Sequence, residues 1–115
     1  MNARLSRGLY GERLAKSRLR RHMHQVRALP KNHPFDFIGI DRLTGQRLAI
    51  EVKTIGRRTN SHCLVHIEAD SLARKQDYLA QSNRQGIVML VFSQTRLCYA
   101  TALSAHIYSR NLMRL

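Results

Sequence analysis

The sequence predicts a single α/β domain spanning residues 1–115, with helices flanking a mixed central β-sheet. Three observations carry this expectation. Gly86-Ile87-Val88-Met89-Leu90-Val91-Phe92 is an unbroken apolar run bounded by glycine and Ser93, the pattern of a central strand buried on both faces. Residues from about 35 to 55 read as two strands joined by Asp41-Arg42-Leu43-Thr44-Gly45, which has the turn residues of a hairpin. Stretches near the N-terminus and after residue 68 carry helix-favouring residues at helical spacing.

In chain order, residues from about 6 to 25 form a basic amphipathic helix, with Leu5, Leu9, Leu14, Leu19 and Met23 loosely on one face. Arg4, Arg7, Arg13, Lys16, Arg18, Arg20, Arg21 and Arg27 lie on or beside it, enough for a phosphate-contacting surface. Glu12 is the only acid before Asp36. It is either an i to i+4 partner of Lys16 or a catalytic carboxylate. A short strand over Gln25–Leu29 leads to the loop Pro30-Lys31-Asn32-His33-Pro34, in which His33 is expected to be exposed. A strand opening at Asp36 and a second over Gln46–Ile55 follow. The polar, basic loop Thr54–Ser61 then offers Arg57 and Arg58 to a substrate backbone. Cys63–Ile67 alternates like a third strand, and a helix capped by Asp70 or Ser71 runs to about Asn83 or Arg84, with Leu72, Tyr78 and Leu79 facing the core. The turn Ser93-Gln94-Thr95 joins the central strand to another over Arg96–Thr101, and Ser104 is expected to cap a final helix to Met113.

Twenty Lys and Arg against seven Asp and Glu give a formal charge of +13. That exceeds what solubility requires and points to a polyanionic partner, nucleic acid ahead of a membrane surface. No run of eighteen apolar residues and no signal-peptide core is visible, and Cys63 and Cys98 make no disulfide framework, so a cytoplasmic location is expected. His62, Cys63 and His66 lack the further ligands a closed zinc site needs. No nucleophile elbow and no phosphate-cradling glycine loop occurs, which argues against hydrolase triads of that type and against ATP.

The chemistry concentrates in Gln46-Arg47-Leu48-Ala49-Ile50-Glu51-Val52-Lys53-Thr54-Ile55. On a strand, Glu51 and Lys53 share one face while Ile50 and Val52 share the other. Alone, that pair reads as a surface ion pair contributing ~0.2–1 kcal/mol. Asp36, opening the preceding strand, meets Glu51 at one end of the sheet if the two strands pair. Two carboxylates beside a lysine suit a hard divalent cation such as magnesium, which takes oxygen ligands and keeps several waters.

Pro34-Phe35-Asp36 followed by Glu51-Val52-Lys53 resembles the signature of the PD-(D/E)XK nuclease superfamily, with Phe35 intervening between the proline and the acid. Gly8-Leu9-Tyr10-Gly11-Glu12-Arg13 is similar to the superfamily's upstream helical glutamate element, and the order of motifs looks most like the archaeal-type Holliday-junction resolvases and related small phage and bacterial nucleases. The resemblance covers roughly Gly8 to Phe92. It implies a restriction-endonuclease-like core in which the strands at about 35–55 are catalytic, and a Mg2+- or Mn2+-dependent endodeoxyribonuclease selecting branched DNA. It further implies Asp36, Glu51 and the Val52 carbonyl as metal ligands, Lys53 and Glu12 as further catalytic residues, and Lys75 or Gln76 as helix residues near the substrate. Arg7, Arg13, Lys16, Arg20, Arg57 and Arg58 are the expected backbone contacts. A two-fold homodimer is expected of a small chain making paired cuts. The competing reading is a non-catalytic basic DNA- or RNA-binding module on the same scaffold.

Overall fold

The computed structural model describes residues 3–56 and 63–115, with side chains from residue 10 onward. Helix α1 (Ala3–His22) is followed by β1 (Met23–Ala28), β2 (Phe37–Asp41), β3 (Arg47–Ile55), β4 (Cys63–His66), α2 (Ala69–Ser82), β5 (Gln85–Phe92), β6 (Leu97–Ala102), β7 (His106–Tyr108) and β8 (Met113–Arg114). Six strands form one sheet in the order β1-β2-β3-β5-β6-β8, and β4 pairs with β7 in a second, two-stranded sheet. β3 and β5 are parallel, and the other pairs are antiparallel, so the sheet is mixed as expected. A parallel pair needs a long crossover, and β4 with α2 supplies it.

The alternation of β3 and β5 divides the core. Leu48, Ile50, Met89 and Val91 pack with Ala15, Leu19 and Met23 on the α1 side, while Val88 and Leu90 pack with Val65, Ile67, Ile107 and Leu72 on the α2 side. β5 is central because both of its faces are covered. Val88, Met89, Leu90 and Val91 are fully buried, as their unbroken apolar run requires.

The hairpin between β2 and β3 closes through Asp41, whose Oδ1 accepts the N–H groups of Leu43 at 2.8 Å and Thr44 at 3.0 Å, and through Gly45 at φ 72°. Left-handed backbone of this kind favours glycine. α1 ends at His22, earlier than its composition suggests, and Met23 turns inward as the first residue of β1.

Three expectations are corrected. β4 forms where alternation predicts a strand, but it leaves the main sheet to pair with β7. Neither Asp70 nor Ser71 caps α2. Glu68 occupies the cap position without a side-chain cap bond, and Ser71 Oγ instead accepts Lys75 Nζ at 3.2 Å. The final helix from Ser104 does not form. Ser104 Oγ donates to the His106 carbonyl at 2.8 Å, Ile107 is buried as the strand partner of Val65, and a 3-10 turn at Ser109–Asn111 precedes β8. The period-two alternation of His106-Ile107-Tyr108 outweighs the capping signal, because one buried isoleucine against the α2-side core stabilises more than a cap. Among the described residues no helix is long and apolar enough to cross a membrane.

Candidate active site

β3 outlasts β2. Their last register pair is Phe37 with Ile50, and from Glu51 to Ile55 β3 has β5 on one side only. Asp36 takes the vacant edge. Its N–H donates to the Ile50 carbonyl at 2.9 Å, and its Oδ2 accepts the Val52 N–H at 2.7 Å. The residue therefore clasps β3 on either side of Glu51. A strand residue presents its N–H and C=O to the same edge, so the Val52 carbonyl faces the side on which Asp36 lies.

Glu51 and Lys53 share the α2 face, as alternation predicts, and their charged atoms stand 3.4 Å apart. A second lysine completes the group. Lys75 of α2 brings Nζ to 3.6 Å from Glu51, with only 7% of its side chain exposed, against 13% for Glu51 and 41% for Lys53. Its ammonium also lies 5.6 Å from the centroid of the Phe35 ring, within cation–π range. Lys75 is thus a buried counter-charge, whereas Lys53 can meet a ligand from solvent.

Phe35, which interrupts the Pro-Asp signature, is among the largest fully buried side chains and packs on Tyr78 at 5.7 Å. It anchors the turn that presents Asp36. His33 is half-buried, which corrects the expectation of an exposed loop histidine. Its Nδ1 accepts the Phe35 N–H at 3.0 Å, and its ring meets Tyr78 edge-on at 4.5 Å. An aromatic partner more than forty positions away in sequence, Tyr78, holds this loop, which no local pattern discloses.

Glu12 approaches from α1. The helix docks on β3 where Gly11 meets Thr54, and a Cβ at Gly11 would collide with the Thr54 side chain. Glu12 is exposed, and the charge of Asp36 reaches it. The lysine whose charge acts on Glu12 is Lys31 of the loop before β2.

The three carboxylates are electrostatically strained in the same sense. Burial, opposed by the Val52 N–H and by the charges of Lys53 and Lys75, holds the Asp36 carboxyl above its ordinary value. Burial and then the Asp36 charge raise Glu51, against Lys75 and Lys53. Burial and then Asp36 raise Glu12. Like charges gathered in a partly desolvated place favour a cation among them. Among the described residues no three His, Cys, Asp or Glu side chains gather to enclose a metal unaided. The donors present are the Asp36 and Glu51 carboxylates and the Val52 carbonyl. This hard oxygen set suits magnesium or manganese when water and a phosphate complete the shell.

No protein-family model matches the sequence, and no curated protein matches it either.

Of the residues expected at the site, Asp36, Glu51 and Lys53 come together, and Glu12 stands beside them. Lys75 belongs to the site as a buried partner of Glu51, and Gln76, about 100° further round the helix, is exposed. Arg13 and Arg20 are exposed and Lys16 is half-buried on α1. Arg7 lies in α1 with its side chain outside the described residues, as Arg57 and Arg58 lie outside them altogether. The pairing of Ser71 with Lys75 has a sequence signal, their i to i+4 spacing on a helix.

Proposed function

We propose that the chain is a metal-dependent nuclease that hydrolyses phosphodiester bonds of DNA, an endonuclease acting on branched or otherwise structured DNA. The observation that carries this reading is the clasp of Asp36 around Glu51, which sets two carboxylates and the Val52 carbonyl at one strand edge with Lys53 two residues on.

Asp36, Glu51 and the Val52 carbonyl would hold magnesium or manganese, whose chemistry is to polarise the scissile phosphate and acidify bound water. Lys53, a compact and half-exposed ammonium, orients the attacking water and offsets negative charge developing on the phosphate. Lys75 neutralises Glu51 from beneath and keeps its carboxylate aimed along the strand face. Glu12, a third carboxylate at the margin, would hold a second cation through water. Arg13, Lys16 and Arg20 of α1 bind the sugar-phosphate backbone without reading sequence, so selectivity follows substrate shape. A two-fold dimer would place two such sites on two strands.

The charge of +13 equally favours a binding module that does not cut. Cleavage of labelled four-way junction, flap, linear duplex and single-stranded DNA, with magnesium or manganese and with chelator, separates the two. Cutting of branched substrates that disappears in both Lys53→Ala and Asp36→Asn, with binding retained, is the expected outcome. Tight, salt-sensitive binding without metal-dependent cutting of any substrate would leave the binding module standing.

A further inference from the structure

Two residues beyond Lys53, β3 borders a cavity of about 170 Å³. Ile55, Phe92, Leu97 and Tyr99 form its walls, and Gln94 and Thr95 of the β5–β6 turn stand at its rim. The register places it on the same side of the sheet as Glu51 and Lys53. Ile55 follows Lys53 at the strand period of two, Phe92 pairs with Leu97, and Leu90 pairs with Tyr99, while Cys98 alternates into the α1-side core. The Phe92 and Tyr99 rings meet at 85° with centroids 5.5 Å apart, and both remain half-buried. Two rings held at right angles make a corner that a flat heterocycle fills by stacking on one and abutting the other.

Size and spacing define the ligand. Sites for whole drug-sized ligands run to roughly 300–1,000 Å³, so this cavity takes one planar ring system. Residues two apart on a strand are separated by about 6–7 Å, a span on the scale of the reach from a phosphate to its own base. The rim carries hydrogen-bonding groups suited to a base edge. The Gln94 amide both donates and accepts, and Thr95 Oγ1, which accepts the Leu97 N–H at 3.4 Å, keeps its hydroxyl proton to donate.

We propose that this cavity receives one unpaired nucleobase, that of the nucleotide whose phosphate lies at Asp36, Glu51 and Lys53. The inference rests on the nuclease reading and adds to it a requirement for an unstacked base beside the cut. Base–aromatic stacking tolerates any base, since every base has a π face, so purines and pyrimidines both enter and the rim sets a preference between them. A base inside duplex is unavailable, which is a physical reason for such a site to select junctions and branches.

The test uses the full chain and a 5′-phosphorylated trinucleotide whose first base is 2-aminopurine, titrated with calcium in place of magnesium and with the oligonucleotide checked to remain uncut. Saturable quenching is expected with the wild-type chain. Tyr99→Ala should weaken it by roughly tenfold or more, the scale of one lost stack, and Tyr99→Phe should restore it. Gln94→Ala, at an exposed position that leaves folding undisturbed, should weaken it severalfold. No quenching, or equal quenching by wild type, Tyr99→Ala and Gln94→Ala, overturns the inference whether or not the chain cuts DNA. Cleavage of branched DNA is measured on the same preparations, with the base beside the mapped cut either present or removed. Equal rates on the two substrates also overturn the cavity assignment. Absence of all cutting with quenching and its variant pattern intact supports the nucleotide cavity and removes the nuclease reading alone.

Discussion

Asp36 and Lys53 stand side by side, yet the fold treats their charges oppositely. Asp36 is partly buried among like charges, and its carboxyl is raised by burial, so the folded chain holds that proton more tightly than the unfolded chain. The stability this residue contributes is full at acid pH and is lost as pH rises through the raised value. Asp36→Asn cannot ionise and keeps an oxygen for the Val52 N–H. It is expected to raise stability of the metal-free chain at pH 7 by about 0.5–2 kcal/mol while abolishing cleavage. The gain should vanish below about pH 3.9, where wild-type Asp36 is also neutral. Thermal unfolding in chelator between pH 3 and pH 8 measures it, and a gain that does not change with pH would show that ionisation is not its source. Lys53, with 41% of its side chain exposed, does little for the fold. Lys53→Ala should change stability by no more than about 0.5 kcal/mol and lower the cleavage rate by about 10²–10³, read from single-turnover kinetics beside a denaturation curve. These residues were legible in the sequence because strand alternation and a hairpin are local patterns. The burial of Lys75 was not, because it depends on where the crossover helix comes to rest.

At the scale of elements, the site exists because α1, β2 and β3 are held in register by small features. At Gly11, α1 comes so close to β3 that an added Cβ would collide with Thr54, and Glu12 is the next residue. Alanine in a helix is intrinsically favoured over glycine by about 1 kcal/mol, but here its methyl would collide with Thr54. Overpacking of this kind costs typically 1–3 kcal/mol, so Gly11→Ala is expected to be net destabilising by about 1–2 kcal/mol. Thr54→Ala should rescue most of that loss in the double variant, and urea denaturation of the two single variants and the double variant tests the coupling. A Gly11→Ala chain as stable as wild type would mean that α1 sits further from β3. The same elements show what sequence patterns disclose. The central strand, the hairpin and α2 announce themselves through apolar runs, turn residues and periodicity. The departure of β4 from the main sheet and the strand at His106–Tyr108 do not, since both follow from Val65 and Ile107 finding each other across some forty residues. A Ser104 capping signal is equally consistent with helix or turn until that pairing is known.

For the whole molecule, a charge of +13 would draw the proposed polyanionic substrate, and the fold would decide where it lies. α1 carries Arg13 and Arg20 exposed on the helix that also brings Glu12 to the carboxylates, so on the proposed function a strand held along α1 would be led toward Asp36 and Glu51. Binding through phosphates releases counterions, and log K falls with log salt by about 0.9 per phosphate neutralised on duplex DNA. On the proposed function, Lys53 would face one phosphate at the site, whereas Arg13 and Arg20 would face the backbone leading to it. The double variant Arg13→Gln, Arg20→Gln should therefore flatten the salt dependence by about two contacts, roughly 1.8 in slope. Lys53→Ala should flatten it by no more than about one contact while slowing cutting by about 10²–10³. Fluorescence anisotropy with a labelled four-way junction from 50 to 200 mM salt, in chelator, gives both slopes. An unchanged slope in the double variant would move the backbone track off α1 and require another basic face to lead the substrate to Asp36, whereas a loss of two contacts ties the positive surface to the carboxylates through a single helix.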